Sequence, residues 1–399
     1  MARAYIPYGA YWSTPFARWQ GTLAHVHSLK LAANSAKQAL EAKRFPTEKI
    51  DLAILGMTNP QPSSFYGLPW VTGMIGLEKV AGPTVQQACA TGARSLQMAS
   101  QEVTDGTASC VLVITADRMS NGAVIYYPDS TAPGGRGITE SWTLDNFAND
   151  PFARNAMIDT AENVSRRFGF TTEQQHEVVL KRHAQYQDAL AANRAFQRRY
   201  MVEVTVTDAA FRKPIGTLSA DEGVFPSTAE GLAKLKPVKP DGTVTFGAQT
   251  HPADGNAGII VTTKDLAREF SLDRNIQVEL LGFGTARVEK GYMPLAAVPA
   301  ARNALRAAGL DIKDIDAVKS HNPFAANDLV FAKETGFPLD RMNNYGCSLI
   351  WGHPQGPTGT RSVIELIEEL ALRGGGTGLF TGCAAGDSGM AVVLRVTGG

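Results

Sequence analysis

Two stretches, "QALEAKRFPTEKIDLAIL" (38–55) and "NALRAAGLDIKDIDAVKS" (303–320), align without a gap at a constant offset of 265 residues. Ala39-Leu40 falls on Ala304-Leu305, and Ile50-Asp51 falls on Ile315-Asp316. In each copy a helical pattern ends, a polar turn follows, and Ile-Asp opens a short apolar run. One αβ unit repeated at this distance predicts a duplicated αβ fold, with its halves packed about a pseudo-twofold axis.

The flanking sequence extends this reading. Apolar runs at 50–57, 110–117, 276–284, 315–322 and 378–386 are predicted strands. Helical periodicity covers 29–43, 90–106, 296–309 and 357–375. Strands alternating with helices imply an α/β sheet covered on its faces. The expected division is 1–120 for the first half and 121–250 for an inserted loop domain. Residues 251–399 then hold the first half's last strands and the whole second half. The insertion is expected to lie over the first half and shape a cleft, with Thr171 or Thr172 and Glu173 opening a helix.

Composition narrows the function. The 399 residues are 44% hydrophobic and carry 38 basic and 38 acidic side chains, enough for a large buried core. Zero net charge argues against nucleic acid and against a polybasic membrane patch. Four cysteines without a Cys-x-x-Cys pair suit a reducing cytoplasm, and no metal site is expected. The opening "MARAYIPYGAYWSTPF" lacks the pattern of a secretory leader, and no apolar run reaches membrane-spanning length.

"TVQQACATGARSLQ" (84–97) places Cys89 between a β-branched run and a helix start. Adding the repeat offset to Cys89 lands on Pro354, in "IWGHPQGPTGTRS" (350–362). Cys89 and His353 therefore occupy nearly equivalent strand-to-helix turns of the two halves. A helix N-terminus favours negative charge, so a lowered thiol pKa is expected there, lowered further by an imidazole nearby. Gly92 is expected to let its helix pack closely, with Gly352, Gly356 and Gly359 doing the same for the His353 loop. Taken alone, Cys89 also reads as a small buried hydrophobe, and His353 as a structural histidine.

Seven segments together resemble the thiolase family over nearly the whole chain. They are "STPFARWQGTL" (13–23), "QQACATGARSLQMAS" (86–100), "ADRMSN" (116–121) and "MIDTAENVSRRFGFTTEQQ" (157–175). "DEGVFPSTAEGLAKLKPVKPDGTVTFG" (221–247), "NNYGCSLIWGHPQGPTGTR" (343–361) and "GCAAGDSGMAVVL" (382–394) complete the set. The chain departs from the family pattern at Ser13, where arginine is usual, and at Asp117, where glutamate is usual.

The resemblance implies a five-layer α-β-α-β-α fold and carbon–carbon cleavage or formation at a 3-oxoacyl-CoA. Coenzyme A is then a substrate, with no tightly bound cofactor. Cys89 would be the nucleophile, His353 its base, and Cys383 the acid/base for the departing enolate and incoming thiol. The backbone N–H groups of Cys89 and Ala385 would form one oxyanion site, Ala385 standing where glycine is usual. His353 and His321 would form the other. His321 belongs to "SHNPFAAND" (320–328), a His-Asn-Pro-Phe version of the usual Asn-Glu-Ala-Phe. His251 and Gln249 replace residues near the family's CoA arm and are candidate CoA contacts, reached through basic and apolar groups of the insertion. Cys347 reads as packing and Cys110 as core, while His25, His27, His176 and His183 read as surface or insertion residues.

The His-Asn-Pro-Phe departure is similar to thiolases acting on aryl substrates, such as the thiolase subunit that cleaves benzoylsuccinyl-CoA. Tyr126, Tyr127, Trp142, Phe147 and Phe152 are candidate walls of an aryl pocket. The resemblance also implies a homodimer or dimer of dimers, expected through the strand near Cys110. A small zinc-binding OB-fold partner of the DUF35 type would hold any zinc itself. The alternatives are a Claisen-condensing acetyl-CoA acetyltransferase and a non-catalytic scaffold subunit. Retention of Cys89, His353 and Cys383 together speaks against the scaffold.

Overall fold

The computed structural model describes residues 3–208 and 210–398. Nine strands carry its frame: β1 (Tyr5–Ile6), β2 (Leu52–Gly56), β3 (Thr84–Val85), β4 (Cys110–Arg118), β5 (Ala253–Thr262), β6 (Gln277–Arg287), β7 (Ala317–His321), β8 (Gly375–Ala384) and β9 (Ser388–Thr397). They follow the order β7-β8-β9-β6-β1-β5-β4-β2-β3 in one hydrogen-bonded sheet. Two further short strands pair with β5. Short β1 pairs with both β5 and β6 and joins the two halves.

The duplication is legible element by element. Thr47–Lys49 and Ile312–Asp314 each form a 3₁₀ turn, and β2 and β7 follow them at the offset read from the sequence. In each half a parallel pair, β2 with β4 or β7 with β8, is flanked by an antiparallel strand. Helices α1 (Ser28–Ala42) and α2 (Leu68–Ile75) cover the outer face of the first half through Leu29, Leu40, Leu68 and Val71. Between the halves lie α3 (Thr91–Thr104) and a central helix, Gly356–Leu372. The outer face of the second half carries Ala297–Ala308, packed through Val298, Ala301 and Leu305, with Phe331 of Ala325–Thr335 beside it. This is the predicted five-layer α/β arrangement.

The inserted region contributes α4 (Met157–Phe168) and α5 (Thr172–Arg194); the three later helices are then α6 (Ala297–Ala308), α7 (Ala325–Thr335) and α8 (Gly356–Leu372). Thr171 caps α5, accepting from Gln174 N, while Gln174 Oε1 accepts from Thr171 N. Glu173 stands in the first turn, so the helix opens at the residues expected. The insertion was expected over the first half. It lies over both halves: Val204, Val206 and Leu218 share a core with Ala17, Leu23 and Leu31 of the first half, while α4 and α5 pack against α7, with Ala161, Val178 and Tyr186 beside Phe324, Cys347 and Trp351 of the second half.

Helix α8 is buried on all sides from Gly356 to Ala371. Its charges are paired within the protein, as burial demands. Arg361 holds Asp221 of the insertion through two bonds of 2.6 and 2.7 Å and Glu365 at 3.0 Å. Lys319 reaches Glu365 Oε2 at 3.0 Å, and Tyr200 donates to Glu365 Oε1 at 2.7 Å. Insertion, central helix and β7 are thereby tied together.

A dimer through the Cys110 strand is ruled out by the sheet order. That strand, β4, lies between β2 and β5 with both edges already bonded. The strand at the sheet's end is β3.

Gly92 explains how α3 and α8 meet. A Cβ there would lie 2.6 Å from Gly356 O and 2.8 Å from Thr360 N, both backbone atoms. Gly92→Ala should therefore cost roughly 1–3 kcal/mol, as overpacking does. Gly73→Ala, on α2 with nothing within 4 Å, should instead be neutral or stabilising by up to about 1 kcal/mol. Denaturant midpoints of the two variants check the contrast; equal shifts would show that the helix contact is loose.

Candidate active site

Cys89 precedes α3 and His353 precedes α8, so the close helix contact brings the two turns together. Residue 88 takes a left-handed backbone, with Ala88 at φ 44°, a strained turn that delivers Cys89 to the helix start. His321 ends β7, and its strand partner is Gly382, the residue before Cys383 on β8. All four predicted side chains thus gather at one end of the sheet.

The Cys89 sulfur and one ring nitrogen each of His321 and His353 lie within 4.8 Å of one another. The two imidazoles stack with centroids 4.0 Å apart. His353 Nδ1 is 2.6 Å from Thr358 Oγ1, and His321 Nδ1 is 2.9 Å from Ser348 Oγ. Both Nε2 atoms are buried without a protein partner. Cys383 is buried and accepts from Asn327 Nδ2 at 3.2 Å. Its thiol is pushed up first by burial and then by Cys89 nearby. The N–H groups of Ala385 and Cys89 point at the Cys89 sulfur. Among the described residues, Cys89, His321 and His353 are the group placed closely enough to hold a thiophilic cation.

The expected low thiol pKa is not found. Burial pushes the Cys89 thiol up to about 12, outweighing the two N–H groups that favour the thiolate. Burial lowers His321 to about 3, and burial together with His321 drives His353 well below its ordinary value. The resting pair is a neutral thiol beside a neutral imidazole. The helix ends act on a sulfur that has lost most of its solvent, and the second ring opposes charging the first.

Several residues of the site carry no signal in the spacing. Gln355 Oε1 accepts from Cys89 Sγ at 3.1 Å, from a backbone with φ 61°. Its position inside the Gly-His-Pro-x-Gly loop was the available clue. Asn327, Ser348 and Thr358 orient the reactive groups from neighbouring helices. Asp117 supports the floor: Oδ1 accepts from Thr58 N at 2.8 Å and Asn59 N at 2.9 Å, and Oδ2 from Gly356 N at 3.0 Å. The glutamate-to-aspartate departure thus falls on the group that anchors the α8 turn.

A cavity of about 620 Å³ opens at Cys89 and His353. Met157, Ile158, Phe246, Met293 and Phe324 line it, as do both candidate contacts, His251 and Gln249. The basic contacts expected from the insertion are absent here, since no Lys or Arg is among its lining residues. A second cavity of about 250 Å³ shares Phe147 and Gln355 with it. Of the five candidate aromatics, Trp142 and Phe147 line cavity walls, while Tyr126, Tyr127 and Phe152 are exposed.

The remaining polar candidates are structural. Cys110 is core, and Cys347 is buried, accepting from Asn322 Nδ2 at 3.2 Å. His27 accepts from Leu29 N and caps α1. His176, in the insertion as expected, is buried against Thr245 Oγ1 at 2.8 Å.

This fold and site define an acyl-transferring enzyme. The chain belongs to the thiolase family: residues 10–265 match the thiolase N-terminal domain and 274–396 the thiolase C-terminal domain. It is 29% identical over 393 residues to an acetyl-CoA acetyltransferase of Escherichia coli strain K12, covering 96% of each chain. An acetyl-CoA acetyltransferase structure from Bacillus anthracis superposes with TM-score 0.90 at 26% identity, covering 99% of both chains. The human mitochondrial 3-ketoacyl-CoA thiolase in complex with CoA superposes with TM-score 0.89 at 26% identity, over 99% of this chain and 98% of that one.

Two outcomes are expected. Iodoacetamide should modify Cys89 slowly at neutral pH and faster as pH rises through 9, because the raised thiol pKa leaves little thiolate below it. A rate that plateaus below pH 7, followed by mass spectrometry of the Cys89 peptide, would contradict the neutral pair. Asp117→Asn should lower stability by about 1–3 kcal/mol, because an amide nitrogen cannot accept from Gly356 N–H. A thermal-melt and steady-state comparison checks it; unchanged melting would remove Asp117 from the anchoring role.

Proposed function

We propose that the protein is a thiolase that cleaves a 3-oxoacyl-CoA with free coenzyme A through a cysteine thioester. The observation that carries this reading is the juxtaposition of Cys89, His353 and His321 at the mouth of the larger cavity, with Cys383 beside them. Cys89 Sγ attacks the 3-oxo carbon as its proton passes to the free Nε2 of His353. The N–H groups that now face the sulfur, those of Cys89 and Ala385, receive the oxyanion. Cleavage of the C2–C3 bond leaves the acyl group on Cys89 and expels the enolate of the shortened CoA ester.

His321 serves the thioester oxygen of that enolate, directly or through a water. Its Nε2 is the free ring nitrogen for this, because Nδ1 is engaged with Ser348 Oγ at 2.9 Å. Cys383 protonates the enolate carbon; its raised pKa keeps the required proton in place at neutral pH. The incoming CoA thiol then loses its proton to the Cys383 thiolate and attacks the acyl carbon, and the Cys89 thiolate it expels takes back its proton from His353 Nε2. The same groups run the condensation in reverse, so direction follows substrate supply.

The substrate class in this reading is an aryl-bearing 3-oxoacyl-CoA, of which benzoylsuccinyl-CoA is one member, supported by Trp142 and Phe147 at the cavity walls. Four free cysteines suit a cytoplasmic location, and no helix among the described residues is long and apolar enough to cross a membrane. A homodimer would form across the outer edge of β3, the strand that ends the sheet order. A small zinc-binding OB-fold partner would meet an apolar surface such as exposed Phe65 and Tyr66.

Cys89→Ser should abolish acyl transfer without changing the fold. Cys383→Ala should permit slow acylation of Cys89 but stall CoA-dependent release, so the acyl-enzyme accumulates in intact-protein mass spectra. Wild-type turnover in either variant would overturn the corresponding role.

A further inference from the structure

The smaller cavity has a composition the catalytic roles do not explain. It adjoins the reactive sulfur through Ala88, Gln355 and Ala385, and meets the larger cavity at Phe147 and Gln355. At about 250 Å³ it exceeds the ~150 Å³ apolar cavity that accepts a benzene ring. Trp142 is held in its wall by an Nε1–H bond of 2.8 Å to Thr58 O, and Phe147 and Met119 add apolar surface. Glu140 also lines it, bonded through Oε1 to Asn146 Nδ2 at 2.6 Å. No Lys or Arg is among the lining residues, and Glu140 forms no ion pair among the described residues. Gln355 uses Oε1 for Cys89, and its Nε2 donates to no described protein group.

We propose that this cavity is the acyl subsite and that it selects an uncharged, ring-sized acyl group bearing a hydroxyl, which donates to Glu140. The inference rests on the thiolase reading above and names the substrate class within it. Three kinds of occupant are distinguished by elementary electrostatics. An acyl chain ending in a carboxylate meets Glu140 with no cation to offset the repulsion. A plain alkyl chain or unsubstituted ring fills the apolar wall but brings no donor to Glu140, whose Oε1 holds only Asn146 Nδ2, and none of its groups meets the Gln355 amide. A hydroxylated ring packs on Trp142 and Phe147 and satisfies the carboxylate. Sites built to bond a substrate hydroxyl discriminate strongly against analogues lacking it.

The larger cavity then carries the pantetheine arm. Its lining is apolar, with uncharged polar groups at Gln249, Thr250 and His251, as a long neutral amide chain requires. Cys89 stands where arm and acyl group meet.

The test is thiolysis by the purified full chain of four CoA esters: acetoacetyl, 3-oxo-3-phenylpropanoyl, and its 4-hydroxyphenyl and 4-carboxyphenyl analogues. The hydroxyphenyl ester should exceed the phenyl ester in kcat/KM by about tenfold or more, as loss of a hydrogen bond to a charged group implies. The carboxyphenyl ester should be the poorest aryl substrate. Glu140→Gln should erase the hydroxyl preference and improve the carboxyphenyl ester relative to the phenyl ester. Equal kcat/KM for phenyl and hydroxyphenyl esters, or a Glu140→Gln loss shared by all four, would overturn the assignment. Failure of every ester to acylate Cys89 would refute the underlying thiolase reading instead.

Discussion

The contact between two helix starts governs this molecule. Gly92 on α3 lies against the backbone of Gly356 and Thr360 on α8, closer than any side chain would allow. Because each helix follows directly on a loop that carries a reactive group, the distance between helices sets the distance between sulfur and imidazole. The buried charges of α8 secure the same arrangement from the other end. Arg361, Glu365 and Lys319 find partners inside the protein, and Asp221 brings the insertion into that network. Removing any one partner would leave an uncompensated buried charge, so the central helix is held both by packing and by electrostatics.

Burial also decides the chemical character of the site. An exposed cysteine at a helix N-terminus gains acidity, whereas Cys89 loses more from desolvation than its two N–H neighbours return. Stacking His321 on His353 opposes a positive charge on either ring. A neutral thiol is protected from adventitious oxidation and alkylation, since the thiolate is the reactive form. Proton transfer is then coupled to substrate arrival, when an oxyanion forms opposite the donors already in place.

Reading particular residues against their positions shows why some features were visible early. The Ile-Asp strand openings at 50–51 and 315–316 survive duplication because both begin parallel strands buried from two sides. Cys89 and His353 stand in dense motifs, since a turn feeding a helix start tolerates few residue types, and Cys383 stands in another at the end of β8. The burial of His176 left no mark in the sequence, because a helical histidine looks alike on either face, and Thr245, its partner, lies far along the chain. Gln355 and Asn327 were passed over for the same reason: an amide acquires meaning only through the atom it meets. The resemblance put a subunit contact at the strand near Cys110, but the continuous apolar run of that strand marks one with neighbours on both sides.

From the order of its residues alone, the chain determined its duplicated αβ units, the alternation of strands and helices, and the two equivalent turns bearing Cys89 and His353. Those properties are local, set by periodicity, by glycine, and by the start of a helix. Tertiary structure alone decided that β4 is interior, that the insertion bridges both halves, and that the thiol is neutral. It also placed Glu140 beside an aromatic wall without a cation near it. These outcomes depend on solvent removal and on contacts between residues distant in sequence, which periodicity and spacing do not encode.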